Sequence, residues 1–164
     1  MTFNITKLNI EELWSLYSDI IKQLKLTGAI RTMNITAERG EQLSINYYNK
    51  TPNLPNLQAA PQGTKNIDAI SRNGDRYSIK TIKLPGKTTG VFWGLGTKEQ
   101  ENKEKKFEYL LIVLINDFYE LEEILELDWN TFLKFKKWHS TMKAFNISVT
   151  SKVIEKSRVI FTKS

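Results

Sequence analysis

The spacing of apolar residues changes along the chain, from a helical period near the N-terminus to short strand-like runs in the middle. Residues 10–26 place apolar side chains at helical spacing, which predicts an amphipathic helix that Asn9 caps and Gly28 ends. The apolar positions of this helix are Ile10, Leu13, Trp14, Tyr17, Ile20, Ile21 and Leu24.

A second helix is predicted over residues 35–49, with Asn34 or Thr36 as its cap. Gly40 lies inside this helix, where glycine costs about 1 kcal/mol relative to alanine. Its presence therefore predicts that another segment of backbone approaches the helix closely. One stripe of the helix carries Glu38, Glu41 and Ile45.

The middle of the chain reads as strands. Residues 51–65 are too rich in proline for a helix or an inner strand and predict a loop. A hairpin with strands at about 66–71 and 75–83 follows, and the apolar run of residues 107–115 predicts a central buried strand. Residues 119–127 fit either a strand with an acidic exposed side or a short helix.

The C-terminal part predicts one helix and two closing strands. Asp128 is a suitable cap for a helix that runs to about Trp138, which places His139 in solvent near the helix end. The closing strands are predicted at residues 146–150 and 158–162. The fold class is therefore α/β, a mixed β-sheet flanked by helices in a single domain.

The hairpin carries an aspartate and a lysine among apolar residues, where charged side chains are rare unless they are paired or functional. With a two-residue turn at Asn73-Gly74, Asp68 would oppose Ile79 and Lys80 would point to the other side of the sheet. With a three-residue loop, Asp68 faces Ser78 and Lys80 lies one diagonal step away on the same face. The second register separates apolar from polar residues better, and we favour it.

Composition excludes several kinds of chemistry. The chain has 164 residues and no cysteine, so disulfides, thiol nucleophiles and zinc–thiolate sites are ruled out. His139 is the single histidine, which excludes a multi-histidine metal site. The longest apolar stretch, residues 109–115, is too short to span a membrane, and the start of the chain lacks the features of a signal peptide. These features predict a cytoplasmic protein that does not enter a membrane.

Charge is unevenly distributed along the chain. Residues 61–106 carry ten basic and five acidic groups, and residues 131–164 carry eight basic groups and one acidic group. Between them, residues 107–130 carry seven acidic groups and no basic group. The two basic blocks suit a polyanionic partner such as DNA. Ordinary solvated charge is the alternative.

A glycine-rich segment, residues 85–96, follows the hairpin and predicts a mobile loop or a broken strand. Trp93 within it could stack on a base, although packing over the sheet is the favoured prediction. The remaining tryptophans occupy helix positions and are predicted to lie in the core; they are Trp14, Trp129 and Trp138.

The order of elements and the hairpin together resemble the PD-(D/E)XK nuclease superfamily, whose fold is called restriction-endonuclease-like. In that superfamily an aspartate ends the first of two paired strands, and an acidic-x-lysine triplet lies on the second. Asp68 matches the aspartate, and Ser78-Ile79-Lys80 matches the triplet. The resemblance covers roughly residues 34–162, which divides the chain into an N-terminal helical extension, 1–33, and a core, 34–164.

The resemblance implies a restriction-like or otherwise defence-related enzyme that uses Mg²⁺ or Mn²⁺ to hydrolyse DNA phosphodiester bonds. It implies that Asp68, Glu41 and the Ile79 carbonyl hold the metal, and that Lys80 orients or deprotonates the attacking water. The residues implied to contact DNA lie beyond the catalytic strand; they are Lys83, Lys87, Thr88 and Thr89. Symmetric cutters of this superfamily usually dimerise, and the exposed face of the N-terminal helix is a candidate interface for a homodimer.

One departure from the family pattern leaves the enzyme assignment open. Ser78 occupies the acidic position of the triplet, and a serine hydroxyl is a far weaker Mg²⁺ ligand than a carboxylate. Either Glu41 or Glu38 supplies the missing charge from the helix, or the domain binds nucleic acid without cleaving it. A protein-interaction role based on the acidic block at 117–128 is a third alternative.

Overall fold

A computed structural model describes residues 4–101 and 104–164. Within them a six-stranded mixed sheet has the strand order β1-β2-β3-β4-β5-β8, beside a two-stranded sheet of β6 and β7. The strands are β1 (Leu57–Ala59), β2 (Ala69–Ser71), β3 (Arg76–Lys83), β4 (Tyr109–Ile115), β5 (Leu121–Asp128), β6 (Lys137–His139), β7 (Ala144–Asn146) and β8 (Arg158–Thr162). The helices are α1 (Ile10–Leu26), α2 (Ile35–Lys50), α3 (Trp129–Phe135) and α4 (Ser151–Lys156), after a 3-10 turn at Ile5–Lys7.

The predicted central strand is confirmed as β4, which lies between β3 and β5. It runs parallel to β3 and antiparallel to β5, while the other neighbouring strands of the large sheet are antiparallel. Six of its seven residues are buried. The mixed α/β class predicted from the sequence is therefore confirmed, and the segment 119–127 is a strand rather than a helix.

The helix starts follow the predicted caps. Asn9 accepts a hydrogen bond from Glu12 N, and the Glu12 carboxylate accepts one from Asn9 N, which completes a capping box at the start of α1. Asn34 caps α2 through Ala37 N, and Asp128 caps α3 through Thr131 N. These caps satisfy backbone N–H groups that a helix start leaves without partners.

Apolar residues form a core on each face of the large sheet. The core between the sheet and α2 contains Tyr48 of the helix together with Ala69, Tyr77, Ile79, Leu111 and Val113. The core on the opposite face, under α3 and the glycine-rich segment, contains Ile82, Phe92, Leu95, Phe107, Leu110 and Phe132. Because both faces of the sheet are covered, the side chains on both sides of β4 are buried, which explains why β4 is apolar throughout its length.

Gly40 sets the distance between α2 and β3. A β-carbon built on Gly40 would lie 1.8 Å from Thr81 Oγ1, far closer than two such atoms can approach. The close approach predicted from this glycine is confirmed, although the nearest neighbour is the Thr81 side chain rather than backbone. It brings the following residue, Glu41, close to the hairpin.

The structure corrects the predictions for the end of α3 and for His139. The helix α3 ends at Phe135 instead of Trp138, because the backbone turns extended at Lys136. His139 lies in the strand β6, half-buried, where its Nδ1 accepts a hydrogen bond from Met142 N. Its predicted place at a helix end was therefore wrong.

The strand predicted at 146–150 is displaced toward the N-terminus. It is β7, which ends at Asn146, and the following residues bond to the glycine-rich segment, with Thr89 N donating to Ile147 O and Val149 N to Lys87 O. The helix α4 then separates β7 from β8, and the sequence analysis did not predict it.

Two tryptophan predictions are confirmed and one was wrong. Trp129 is buried, and Trp138 is partly buried against the core with its ring 5.1 Å from that of Phe145. Trp14 is 63% exposed, because α1 lies apart from the core. Among the described residues, none of the helices combines the length and apolar composition needed to cross a bilayer.

Candidate active site

The hairpin adopts the three-residue-loop register. Ala69 pairs with Tyr77 and Ile70 with Arg76, which places Asp68 opposite Ser78. The loop closes through a hydrogen bond of 3.0 Å from Gly74 N to Ser71 O. Gly74 has a φ of 86°, in the left-handed region that a type I turn with a bulge requires.

Asp68 contacts β3 through both its backbone and its side chain. It lies just before β2, and its backbone N–H donates a hydrogen bond of 2.8 Å to Tyr77 O. Its Oδ2 accepts a hydrogen bond of 2.6 Å from Ile79 N and a longer one, 3.5 Å, from Ser78 Oγ. Burial raises the pKa of Asp68, and the bond from Ile79 opposes that rise. The carboxylate is thus fixed in direction and partly removed from water.

Ser78 is buried and points its hydroxyl at the Asp68 carboxylate. A hydroxyl that donates to a carboxylate orients it. Ser78 therefore acts in this arrangement as a positioning residue for Asp68, which differs from the ligand role of the acidic residue in the family pattern.

Lys80 lies two residues further along β3, on the same side of the strand as Ser78. Its Nζ donates a hydrogen bond of 3.2 Å to Val91 O and lies 4.7 Å from the centre of the Phe92 ring. Burial lowers the pKa of the ammonium group, while the charges of Asp68 and Glu41 oppose that fall. Lys80 thus lies within electrostatic range of both carboxylates, while its ammonium group is bonded to Val91 O.

Glu41 reaches the hairpin from α2. It lines a cavity of about 190 Å³ together with Asp68 and the loop 60–64. Burial and then the nearby Asp68 carboxylate raise the pKa of Glu41 to about 7, against opposing effects of Arg31 and Lys80. Two carboxylates that share a partly buried cavity attract a cation.

Arg31 already contacts this carboxylate and was not predicted. Its Nη2 donates to Glu41 Oε2 at 2.8 Å, and its Nε lies 3.5 Å from Glu38 Oε2. The sequence offers no periodic signal for it, because Arg31 lies in the irregular link between α1 and α2 and its direction depends on that link. The guanidinium group provides positive charge beside a carboxylate that a metal would otherwise neutralise.

The Glu38 carboxylate binds the backbone of the link between α1 and α2. Its Oε1 accepts hydrogen bonds from Arg31 N at 3.0 Å and from Thr32 N at 2.8 Å, and the residue is 6% exposed. Its carboxylate therefore fixes the chain before α2. Both glutamates considered from the sequence line the cavity that contains Asp68. The Asp68 charge acts on Glu41, whereas Glu38 is held by the backbone of the link.

A divalent cation needs oxygen ligands, and the site has several oxygen atoms that could serve. Asp68 Oδ1 receives no hydrogen bond from any residue that the structure describes, and Asp68 and Glu41 face the same cavity. The Ile79 N–H points to Asp68, so the Ile79 carbonyl leaves β3 on that same side. Within residues 4–101 and 104–164, no three acidic or histidine side chains are gathered into a metal cage. These oxygens suit Mg²⁺, which needs one or two carboxylates and keeps several waters.

The predicted DNA-contacting residues differ in exposure. Lys87 and Thr88 are exposed, and Thr88 shares a hydrogen bond of 3.0 Å with Ser148. Lys83 is half-buried, 3.5 Å from Asp117 Oδ1 and 4.9 Å from the centre of the Tyr119 ring. Thr89 is buried, and its hydroxyl accepts a hydrogen bond from Ile147 N, so this side chain braces the glycine-rich segment instead of facing a ligand.

The glycine-rich segment is packed against the body of the protein. Phe92 and Leu95 are buried, and isolated bridges join Thr88 to Ser148 and Phe92 to Phe145, which fits the broken-strand alternative. Trp93, by contrast, is 57% exposed, so the predicted packing of its ring over the sheet was wrong.

Comparison with models of known protein families gives no match for this chain. Comparison with curated proteins likewise gives no match.

Proposed function

We propose that this protein is a metal-dependent DNA endonuclease with a restriction-endonuclease-like fold, acting as part of a restriction-like or defence system. The observation that carries the proposal is the hairpin register. It places Asp68 beside Ile79 of β3, with the Lys80 ammonium group in the field of Asp68 and Glu41. Asp68 and the helix-borne Glu41 share a cavity, and the Lys80 ammonium group acts on both electrostatically. This combination of charges resembles that of the PD-(D/E)XK nucleases.

Asp68, Glu41 and the Ile79 carbonyl would hold Mg²⁺, with Mn²⁺ as a substitute. When bound, the metal would supply positive charge to the scissile phosphate and lower the pKa of a water molecule. The Asp68 carboxylate is already oriented for binding a metal, because Ile79 N and Ser78 Oγ both donate to its Oδ2. Its Oδ1, which accepts no hydrogen bond from the described residues, would be the oxygen left for the metal.

Lys80 would orient the attacking water and stabilise the charge that develops on the phosphate oxygens. The lowered pKa of its ammonium group brings it closer to the range in which an amine can also accept a proton. In the structure described here Nζ bonds to Val91 O, so DNA binding would have to redirect it. A long, flexible side chain can make that change by rotating about its own bonds.

The proposed DNA surface begins beside this site. Lys87 and Thr88 are exposed on the segment that also carries Val91, the acceptor for Lys80. Trp93 is exposed on the same segment, where its ring could stack on a base. Lys83 adds positive charge at the end of β3, whereas Thr89 is left out of this surface because it is buried.

Incubation of the pure protein with supercoiled plasmid tests the proposal. We expect nicked or linear DNA in Mg²⁺ or Mn²⁺, no cleavage in EDTA, and loss of cleavage in Asp68→Asn and Lys80→Ala. Lys163→Ala is the matched control, because Lys163 bonds to Glu122 at the opposite end of the sheet order. Cleavage by Lys80→Ala at the rate of the unaltered protein would refute the proposal.

A second candidate function is a catalytically inactive nucleic-acid-binding module. Two observations favour it: Ser78 replaces the acidic ligand, and Arg31 occupies Glu41 with an ion pair of 2.8 Å. This candidate predicts DNA binding in EDTA that weakens steeply with salt, without cleavage in any divalent ion. Stoichiometric Mn²⁺ binding that is lost in Asp68→Asn would count against it.

A further inference from the structure

The helix α1 exposes the apolar side that its sequence pattern creates. None of its seventeen residues, all of which the structure describes, is buried. Ile10 is 72% exposed, Trp14 63% and Tyr17 51%. The apolar stripe consists of Ile10, Leu13, Trp14, Tyr17, Ile20, Ile21 and Leu24. Such a stripe ordinarily faces a core or a partner.

The helix has strong local signals of its own. The capping box formed by Asn9 and Glu12 fixes its start, and an ion pair of 3.0 Å links Asp19 with Lys22 on its surface. Even so, a single helix of this length is marginal in water, and most helical stability in proteins comes from packing of the apolar face. Something must therefore cover the stripe for α1 to be fully stable.

We propose that a second copy of this chain covers the stripe, with the two α1 helices antiparallel about a two-fold axis. The motive is the placement of charge beside the stripe. Glu11 and Lys25 are about four helical turns apart, so both project from the same side of the stripe, one at each end. In an antiparallel two-fold pair each side of the stripe meets the same side of the partner's stripe, running in the opposite direction.

Glu11 of one copy then lies opposite Lys25 of the other, and the two-fold axis repeats this pair. A parallel pair would bring that side against the opposite one, which carries Leu16 and Gln23 and offers no complementary charge. The antiparallel arrangement also sets each helix N-terminus beside the partner's C-terminus, which favours the two helix dipoles.

The charge of α1 argues against a lipid surface as the occupant. The helix carries three acidic residues, Glu11, Glu12 and Asp19, against two basic ones, Lys22 and Lys25. Helices that lie on anionic membranes are instead rich in lysine and arginine on the polar face. Trp14 and Tyr17, whose rings meet edge to face at 5.9 Å, are of the residue types enriched at the centres of protein interfaces.

The expected dimer is of moderate strength. A helix of seventeen residues is roughly 25 Å long, so one helix pair buries less than the ~800 Å² per partner of a standard interface. We therefore expect self-association in the micromolar range. The proposal does not depend on the nuclease assignment, because α1 contributes no residue to the hairpin site.

Sedimentation velocity of the full chain over roughly 1–200 μM tests the dimer. We expect a monomer–dimer equilibrium that Trp14→Gln/Ile20→Gln shifts to monomer, with an unchanged melting temperature of the core because neither side chain is buried. A monomer at every concentration would overturn the proposal, whether α1 then stays in solvent or binds anionic vesicles. A dimer that survives the double substitution would overturn it too, because the interface would lie elsewhere.

Charge exchange tests the direction of the helices. Glu11→Lys and Lys25→Glu should each weaken the dimer severalfold, and the double variant Glu11→Lys/Lys25→Glu should restore it. Asp19→Lys makes the same change of charge as Glu11→Lys on the face away from the stripe and should leave association unchanged. Failure of the double variant to recover would overturn the antiparallel arrangement.

Discussion

Burial favours the neutral form of each of the three charged residues of the candidate site. Burial raises the pKa of Asp68 and of Glu41 and lowers that of Lys80. The attraction between Lys80 and the two carboxylates opposes these shifts, whereas the Asp68 charge adds to the rise in the pKa of Glu41. A cation or a phosphate that enters the cavity would meet groups that are poorly hydrated, and poorly hydrated charges interact strongly with a ligand.

The shifted pKa of Glu41 predicts how stability changes with pH. Its pKa is about 7 in the folded chain against an ordinary value of 4.5, so the folded state holds this proton more tightly than the unfolded state. Stability from this group is therefore fully present below pH 4.5 and is lost as pH rises through 7. Between pH 4.5 and 8 we expect Glu41→Gln to gain roughly 1–3 kcal/mol relative to the unaltered chain. Urea unfolding of both proteins at several pH values measures this, and parallel stability curves would contradict it.

Arg31 predicts a second effect at the residue scale. Its guanidinium group pairs with Glu41 and competes with any cation for that carboxylate. We expect Arg31→Gln to bind Mn²⁺ roughly twofold to fivefold more tightly at pH 8.5, where Glu41 is ionised, since a partly exposed ion pair of up to about 1 kcal/mol is removed. Calorimetric titration measures the affinity. Arg39→Gln is the control, because Arg39 bonds to Tyr119 O instead; equal affinities in all three proteins would refute the competition.

At the scale of elements, the parts with strong local rules were predictable. Asn73-Gly74 between two alternating segments gave the hairpin, and the segregation of apolar residues gave its register. Helix caps fixed the starts of α1, α2 and α3. Interactions between distant segments had no such signal: β7, α4 and the end of α3 depend on how residues 136–150 pack against the glycine-rich segment.

The contact between α2 and β3 predicts the effect of a small change. Gly40→Ala would place a methyl group 1.8 Å from Thr81 Oγ1, so α2 must move away from the sheet. We expect a net loss of about 1–3 kcal/mol in stability, since overpacking outweighs the ~1 kcal/mol gain in helix propensity. Chemical denaturation measures it, with Asn46→Ala, an exposed position of the same helix, as the control. A Gly40→Ala protein as stable as that control would show that α2 can shift freely.

At the scale of the whole molecule, the sequence was sufficient for the α/β class and for one mixed sheet with a buried central strand. It also led to the hairpin residues of the site, because Asp68 and Lys80 lie on the two arms of one tight hairpin. It was insufficient for Arg31 and for the exposure of Trp14 and Trp93. Each of these depends on where a whole segment lies relative to the core, and apolar spacing alone does not determine that.

The charge distribution adds to this picture at the same scale. The basic block at 61–106 contains the hairpin residues of the candidate site together with the exposed Lys87. Four of the seven acidic residues at 107–130 belong to β5, which lies two strands away from β3 on the far side of β4. Positive charge is therefore concentrated where the proposed phosphate contacts lie. We expect DNA affinity to fall steeply with salt for this reason.

The most direct test of the central claim is the rate at which a bound, end-labelled DNA duplex is cut in saturating Mg²⁺ by the unaltered protein and by Lys80→Ala. Equal occupancy of the duplex is verified first by a binding assay, so that the rate reports the chemical step alone. If the hairpin is a nuclease centre, the substitution lowers the cleavage rate by roughly a hundredfold or more while DNA binding stays within about threefold. Cleavage at the same rate by both proteins, or by neither, would contradict it.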